Sequence, residues 1–162
     1  MSQQQPGAVT LRDVHPADLS VFFEQQLDPE ANRMAAFTVE NPADRAAFDA
    51  RWERILADPS IINKTIVSGG EIAGHIAQHA WFGDPEVTYW LGREFWGRGV
   101  ASAALAQFLA LAPIRPLYAR AAKDHAATLR VLEKCGFAIA GEDKGFANAR
   151  NAEIEEWILI LR

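Results

Sequence analysis

Residues 95–105 read FWGRGVASAAL: two glycines flank an arginine just ahead of small residues at helix-compatible spacing. A helix start presents unpaired N–H groups and the positive end of its dipole. Gly97, Arg98 and Gly99, leading into Val100, Ala101 and Ser102, can therefore cradle an anion such as a phosphate. Arg93 and Arg98 are close enough in sequence to add charge-assisted contacts. The string is not a GxxxxGK[ST] phosphate loop, and it lacks the GxGxxG and downstream acid of a dinucleotide site. Standing alone, it reads equally well as a tight helix start with two surface arginines.

Proton-handling side chains lie just upstream. Glu86 opens the segment EVTYWL, where a carboxylate can take a proton through water or simply sit solvated. His75 and His79 in EIAGHIAQHAWF are four apart, so on a strand they share one face. If that face borders the reacting atoms, His79 is the better base, because it is nearer the GDP turn. A histidine pair without a third ligand nearby argues for no metal, and the bland alternative is a pair of packed strand histidines.

The elements that position these residues can be read from periodicity. AVTLRDV (8–14) alternates as a strand, and Pro16 suits the first turn of a helix to about Gln26. Residues 28–42 show no period and read as a long loop. Asn41-Pro42 signal a helix start, with Asp44 in its first turn, and Phe48, Trp52, Ile55 and Leu56 recur at helical spacing. The period then changes. IINKTIVS (61–68), Gly69-Gly70 and EIAGHIAQHAWF (71–82) form a hairpin, the turn GDP follows, and 86–91 is a third strand. A helix follows the glycines, PLYARAA (116–122) is a strand, and DHAATLRVLEKCG is a helix with Asp124 as N-cap and Gly136 just past its end. FAIAGED and EIEEWILIL (153–161) supply the last strands. Three antiparallel strands and then a strand-helix-strand crossover predict an α+β, or mixed α/β, single domain over 8–162, preceded by a flexible polar start at 1–7.

Composition bounds the partners. The chain has 162 residues, 49% hydrophobic and 23% charged, enough for one domain with a real core. Its formal net charge is −5, with a pI near 5.4, which disfavours broad nucleic-acid binding and leaves room for a cationic substrate. One cysteine, Cys135, excludes an intrachain disulfide and a cysteine-rich zinc site. The polar start lacks the regions of a signal peptide, and no apolar run approaches a membrane span. A cytoplasmic protein with no membrane partner is expected.

YWLGREFWGRGVASAAL, followed some twenty residues later by DHAATLRVLEKCGF, resembles the GNAT superfamily of acyl-CoA-dependent N-acetyltransferases. The likeness is greatest to the branch of ribosomal-protein alanine and serine acetyltransferases. The motif likeness covers roughly 86–137, and the first half agrees by element order. The resemblance implies a central mixed, mostly antiparallel sheet flanked by helices, with acetyl-CoA as cosubstrate and no metal. The family's pattern Gln/Arg-x-x-Gly-x-Gly/Ala falls on Trp96, Gly97, Arg98, Gly99, Val100 and Ala101. Trp96 replaces the first side chain but removes no amide, so main-chain N–H groups of roughly 97–102 are left to bind the pyrophosphate. Trp90, Leu91 and Gly92 would pair with the pantetheine arm like an added strand, beside a splayed neighbour. The second motif, Asn-x-x-Ser-x-x-x-Leu-Glu-Lys-x-Gly-Phe, puts His125 at the asparagine and Thr128 at the serine. His125 would then touch the pantetheine arm. Many relatives place a tyrosine acid where Leu132 stands, so that phenol route is absent.

The reaction implied is attack of a neutral amine on a thioester, with an N–H near Leu91 facing the oxyanion. Glu86 and His79 are the candidate bases. Thr128, a poor acid by pKa, is suited to orienting a water or the thiolate. Trp52, Trp81, Trp157 and Phe108 read as packing. Glu153, Glu155 and Glu156 read as the solvated face of the last strand, and Arg45, Arg51 and Arg54 as one exposed helix side. The acceptor is an amine on a small molecule, a lysine or a protein N-terminus, entering between the 28–41 loop and a turn near 142–151. A homodimer is an open option, since dimers are frequent in the family. Two alternatives compete: a non-catalytic acyl-CoA-binding module of the same fold, and an unrelated phosphate-binding domain.

Overall fold

The computed structural model describes residues 8–162; the start at 1–7 lies outside them. Seven strands form one sheet in the order β1-β2-β3-β4-β5-β7-β6. Strands β1 (Val9–Arg12), β2 (Ile62–Ser68), β3 (Glu71–His79) and β4 (Glu86–Leu91) pair with one another in sequence, each antiparallel to the one before. Strand β5 (Leu117–Ala122) lies parallel to β4, and β7 (Ala152–Leu161) sits between β5 and β6 (Ala138–Ala147). This is the mixed, mostly antiparallel sheet that the sequence predicts.

Helices cover both faces because alternate strand positions are apolar on each. On one face α4 (Val100–Leu111) and α5 (Ala126–Lys134) enclose Ile66, Ile76, Val87, Leu105, Phe108, Leu117 and Leu159. Burying each such side chain stabilises the fold by about 1.5–3 kcal/mol. On the other face α1 (Leu19–Gln26) and α3 (Arg45–Ala57) pack Phe22, Phe48, Trp52 and Ile55 over the sheet. His75 belongs to this second core, its ring 4.7 Å from Phe22 and 5.1 Å from Trp52.

Four local expectations are corrected. The 28–42 stretch is not all loop: Pro29–Ala35 forms α2, with the Asp28 carboxylate accepting from Glu30 N–H. Its seven residues are too short to show a period. Helix α3 starts at Arg45 with Asp44 as its N-cap. His125, not Asp124, caps α5 by accepting from Thr128 N–H, because Asp124 instead grips Arg150 through two hydrogen bonds of 2.8 and 2.9 Å. Residues 142–147 continue β6, and the turn is confined to 148–151.

That turn does not face the α2 segment across a gap. Ala149 N–H donates to Ala36 O, Asn148 Nδ2 to Thr38 O, and Arg150 Nε to Arg33 O. The expected acceptor opening between them is closed at these points.

Candidate active site

The site begins where two parallel strands part. Strands β4 and β5 share one rung, Glu86 with Tyr118, whereas β3 and β4 pair over all of Glu86–Leu91. Beyond that rung the strands leave an open slot. Main-chain groups alternate in direction along a strand. Gly92 N–H donates to Ala73 O on β3, and Pro85 O accepts from Tyr118 N–H on β5. Tyr89 and Leu91 therefore present their main chains to the slot, and Trp90 presents its own to β3. Of the three predicted strand-end residues only Leu91 faces the slot, and Tyr89 is the neighbour that the sequence reading missed. The Trp90 indole is spent on Gln25 O at 3.1 Å, and the Trp96 indole donates to Leu91 O at 3.2 Å.

From its Leu91 end β4 continues through residues 92–99 to the start of α4. Gly99 is its N-cap at φ 76°, without any side-chain cap, so the first-turn N–H groups of Val100, Ala101 and Ser102 have no intrahelical acceptor. Gly97 at φ 72° shares the left-handed conformation, and a Cβ at either glycine would meet open space. An uncapped helix start with bare glycines suits an anionic group such as a pyrophosphate. Arg98 is exposed beside it, its guanidinium 5.8 Å from the Phe95 ring centre. Arg93 is held elsewhere: its guanidinium forks onto the Asp28 carboxylate, with Nε–Oδ2 at 2.9 Å.

At the apex of the slot stands a carboxylate set. Glu86 is largely enclosed, and Arg120 Nε lies 3.7 Å from it. Arg120 also bonds Glu156 at 2.9 Å and Asp143 at 3.4 Å. Burial raises the Glu86 carboxyl above its usual range against the opposing pull of Arg120, and neighbouring Glu156 raises it further. Glu156 is itself buried and raised for the same reason, so it does not belong to the solvated face assigned to its strand. Strand alternation puts Glu86 on one face; that Arg120 and Glu156 join it follows only from the β4–β5 and β5–β7 pairings.

His79, opposite Glu86 on β3, is less suited to accept a proton. Its Nδ1, the free lone pair of a neutral ring, accepts from Trp81 N–H at 3.4 Å, and the ring stacks on Trp81 at 4.7 Å. Trp81 is half exposed in this stack, so it is not a core packing residue as expected. His75 is walled in by Phe22 and Trp52 and borders no slot. On the other face of β4, Thr128 Oγ1 lies 3.0 Å from Tyr89 Oη and 3.1 Å from His125 Nε2. Both ring nitrogens of His125 are thus engaged with Thr128, and Leu132 is buried in the core.

The family model described as an acetyltransferase (GNAT) domain matches residues 8–138. The chain belongs to the GNAT acetyltransferases. It is therefore an acetyl-CoA-dependent N-acetyltransferase. RimJ of Mycobacterium smegmatis, solved with CoA-disulfide, superposes with a TM-score of 0.80 at 19% identity, covering 96% of this chain and 82% of that one. Spermidine N-acetyltransferase of Vibrio cholerae, solved with CoA and spermine, gives 0.74 at 15% identity, over 94% and 95%. The microcin C7 self-immunity acetyltransferase MccE, solved with acetyl-CoA and AMP, gives 0.74 at 16%, over 94% and 91%. At these identities the likeness is one of fold. No curated protein matches the sequence.

Among the described residues no group of three or more His, Cys, Asp or Glu side chains is placed to hold a metal ion. No helix of theirs is long and apolar enough to cross a membrane.

Proposed function

We propose that this GNAT acetyltransferase moves the acetyl group of acetyl-CoA directly to a primary amine in a ternary complex. One observation carries the reading: β4 parts from β5 after a single rung at a half-buried carboxylate, and its far end runs on into an uncapped helix start. The N–H groups of Val100, Ala101 and Ser102 hold the pyrophosphate, with Arg98 beside them and Gly97 and Gly99 giving clearance. Leu91 presents its N–H to the slot, where it serves the pantetheine arm or the developing oxyanion. Glu86, raised by burial, accepts the proton that the amine must lose. Thr128 hydrogen-bonds the departing sulfur.

The acceptor is a primary amine of a small molecule, a lysine or a protein N-terminus. The three relatives point to no single one, since their names concern a spermidine, a microcin immunity function and RimJ. The cytoplasm is the proposed location.

The test pairs melting temperature with turnover. Acetyl-CoA at a hundred times its Kd is expected to stabilise the fold by about 2.7 kcal/mol, ATP is expected to add nothing, and an amine panel should release thiol. The Gly99→Glu variant sets bulk and negative charge against the pyrophosphate and should lose the acetyl-CoA shift. No shift with either acetyl-CoA or CoA would sink the reading. A shift without thiol release on any amine would leave a non-catalytic acyl-CoA-binding module.

A further inference from the structure

Three hydroxyl- and nitrogen-bearing side chains from two elements meet at a single oxygen. Thr128 Oγ1, in the first turn of α5, is 3.0 Å from Tyr89 Oη on β4 and 3.1 Å from His125 Nε2. Valence fixes the direction of the His125 proton and leaves Thr128 Oγ1 able to accept a second one. His125 Nδ1 accepts from Thr128 N–H, so the ring proton of neutral His125 sits on Nε2 and is donated to Thr128 Oγ1. Burial favours that neutral ring. A hydroxyl oxygen has two lone pairs and one proton. With His125 on one lone pair, the second is free for Tyr89, whose phenol is held un-ionised by burial.

We propose that Tyr89 is a positioning residue of the transfer reaction. Its O–H, donated to Thr128 Oγ1 alongside the His125 Nε2–H, turns the one Thr128 proton outward to the sulfur of the leaving thiolate. The inference rests on the acetyl-transfer reading above, and it deepens it by accounting for how a threonine serves there without a phenol at Leu132. The phenol instead arrives from β4, the strand whose Tyr89 and Leu91 main chains border the slot.

The step balances without any added reactant. The amine lone pair forms the new N–C bond, the carbonyl pair moves to oxygen and returns, and the C–S bond breaks with its pair left on sulfur. The amine proton goes to Glu86. Sulfur leaves as a thiolate that accepts the Thr128 hydrogen bond, and Thr128 keeps its proton. Two donors on Thr128 Oγ1 leave that proton no competing acceptor in the cluster, so the hydroxyl is oriented before the bond breaks.

Tyr89→Phe keeps the ring and its packing and removes only the donor. It should lower kcat about tenfold, less than the roughly hundredfold or more of a group that itself transfers a proton, with KM for acetyl-CoA changed by less than about twofold. The acetyl-CoA melting shift should persist. Thr128→Val should cost as much, Thr128→Ser should restore most of the rate, and Tyr89→Phe on top of Thr128→Val should cost nothing more. A residue with only a packing role would lower the melting temperature, and its effect would multiply with that of Thr128→Val. Wild-type kcat in Tyr89→Phe, or losses that multiply in the double variant, overturns this inference while leaving the acetyl-transfer reading intact. An inactive wild type that still binds acetyl-CoA overturns both.

Discussion

Glu86, the proposed base, is tuned by its ion pair with Arg120. Removal of the carboxylate in Glu86→Gln should cut kcat by about a hundredfold while leaving the acetyl-CoA melting shift in place, which thiol-release kinetics and thermal melts check together. The pH dependence has a definite sign. Glu86 must be ionised to accept a proton, and burial lifts its carboxyl above the usual range, so the acid limb of kcat should lie above that of a free glutamate. Arg120 opposes that lift. Arg120→Gln should therefore move the acid limb to higher pH, and a limb that stays or falls would exclude Glu86 as the titrating base. At this scale the sequence singled out Glu86 and Thr128 by position in two motifs. It gave no sign of Arg120, Glu156 or Tyr89, because what matters about each is a partner on another strand or helix.

Strands β3 and β4 fit together through one glycine. A Cβ at Gly74 would fall 1.9 Å from Trp90 O, a backbone atom that cannot yield without moving β4. The close approach follows the register shift of β2 against β3 between Ile66 and Val67, which leaves Ala73 over and draws Gly74 opposite Leu91. Gly74→Ala should destabilise the fold by about 3 kcal/mol, read as a lower urea midpoint, and should loosen the slot wall. A variant as stable as the wild type would mean that the two strands are not packed this closely. Strand periods in the sequence place β4 at its observed bounds and overrun the end of β3 by three residues, Ala80 to Phe82, and alternation assigns their faces. The bulge is not legible there, since EIAGHIAQ alternates unevenly whether or not a residue is left over. Helix α2 was missed for a related reason: its seven residues are held by the Asp28 cap and by the turn at 148–151, contacts that leave no periodic trace.

Acid stability is a property of the whole molecule, because two buried groups on one side of the sheet act in succession. His75 is pushed down to about 3 by burial and by Arg51. Unfolding releases it to about 6.5, so the unfolded chain takes up a proton that the folded one refuses. Stability should then fall by about 1.4 kcal/mol per pH unit below 6.5. Asp18 is held at about 2 by hydrogen bonds from Arg12, the His15 N–H and Thr65, which outweigh its burial. Its contribution is full above about 4 and is lost as pH falls through its folded value. Denaturant midpoints should slope downward from pH 6.5 and steepen below 4, and His75→Leu should flatten the upper part. A profile level between pH 7 and 5 would show that His75 titrates freely in the folded state.

What the sequence determined by itself is the order of the strands and of every helix but α2, the GNAT kinship and the glycine-flanked helix start proposed to hold a pyrophosphate. Each of these rests on residues near one another along the chain, where glycine conformation, caps and periodicity act locally. Tertiary structure alone decided which proton-handling groups lie together. Glu86, Arg120 and Glu156 come from three strands, and Tyr89, Thr128 and His125 from a strand and a helix start. It also tied the 148–151 turn to the α2 segment, closing at these points the acceptor route expected between them. The physical reason is common to all three: hydrogen bonds and ion pairs act over about 3–4 Å, and only the register and crossing of the sheet bring such distant positions that close.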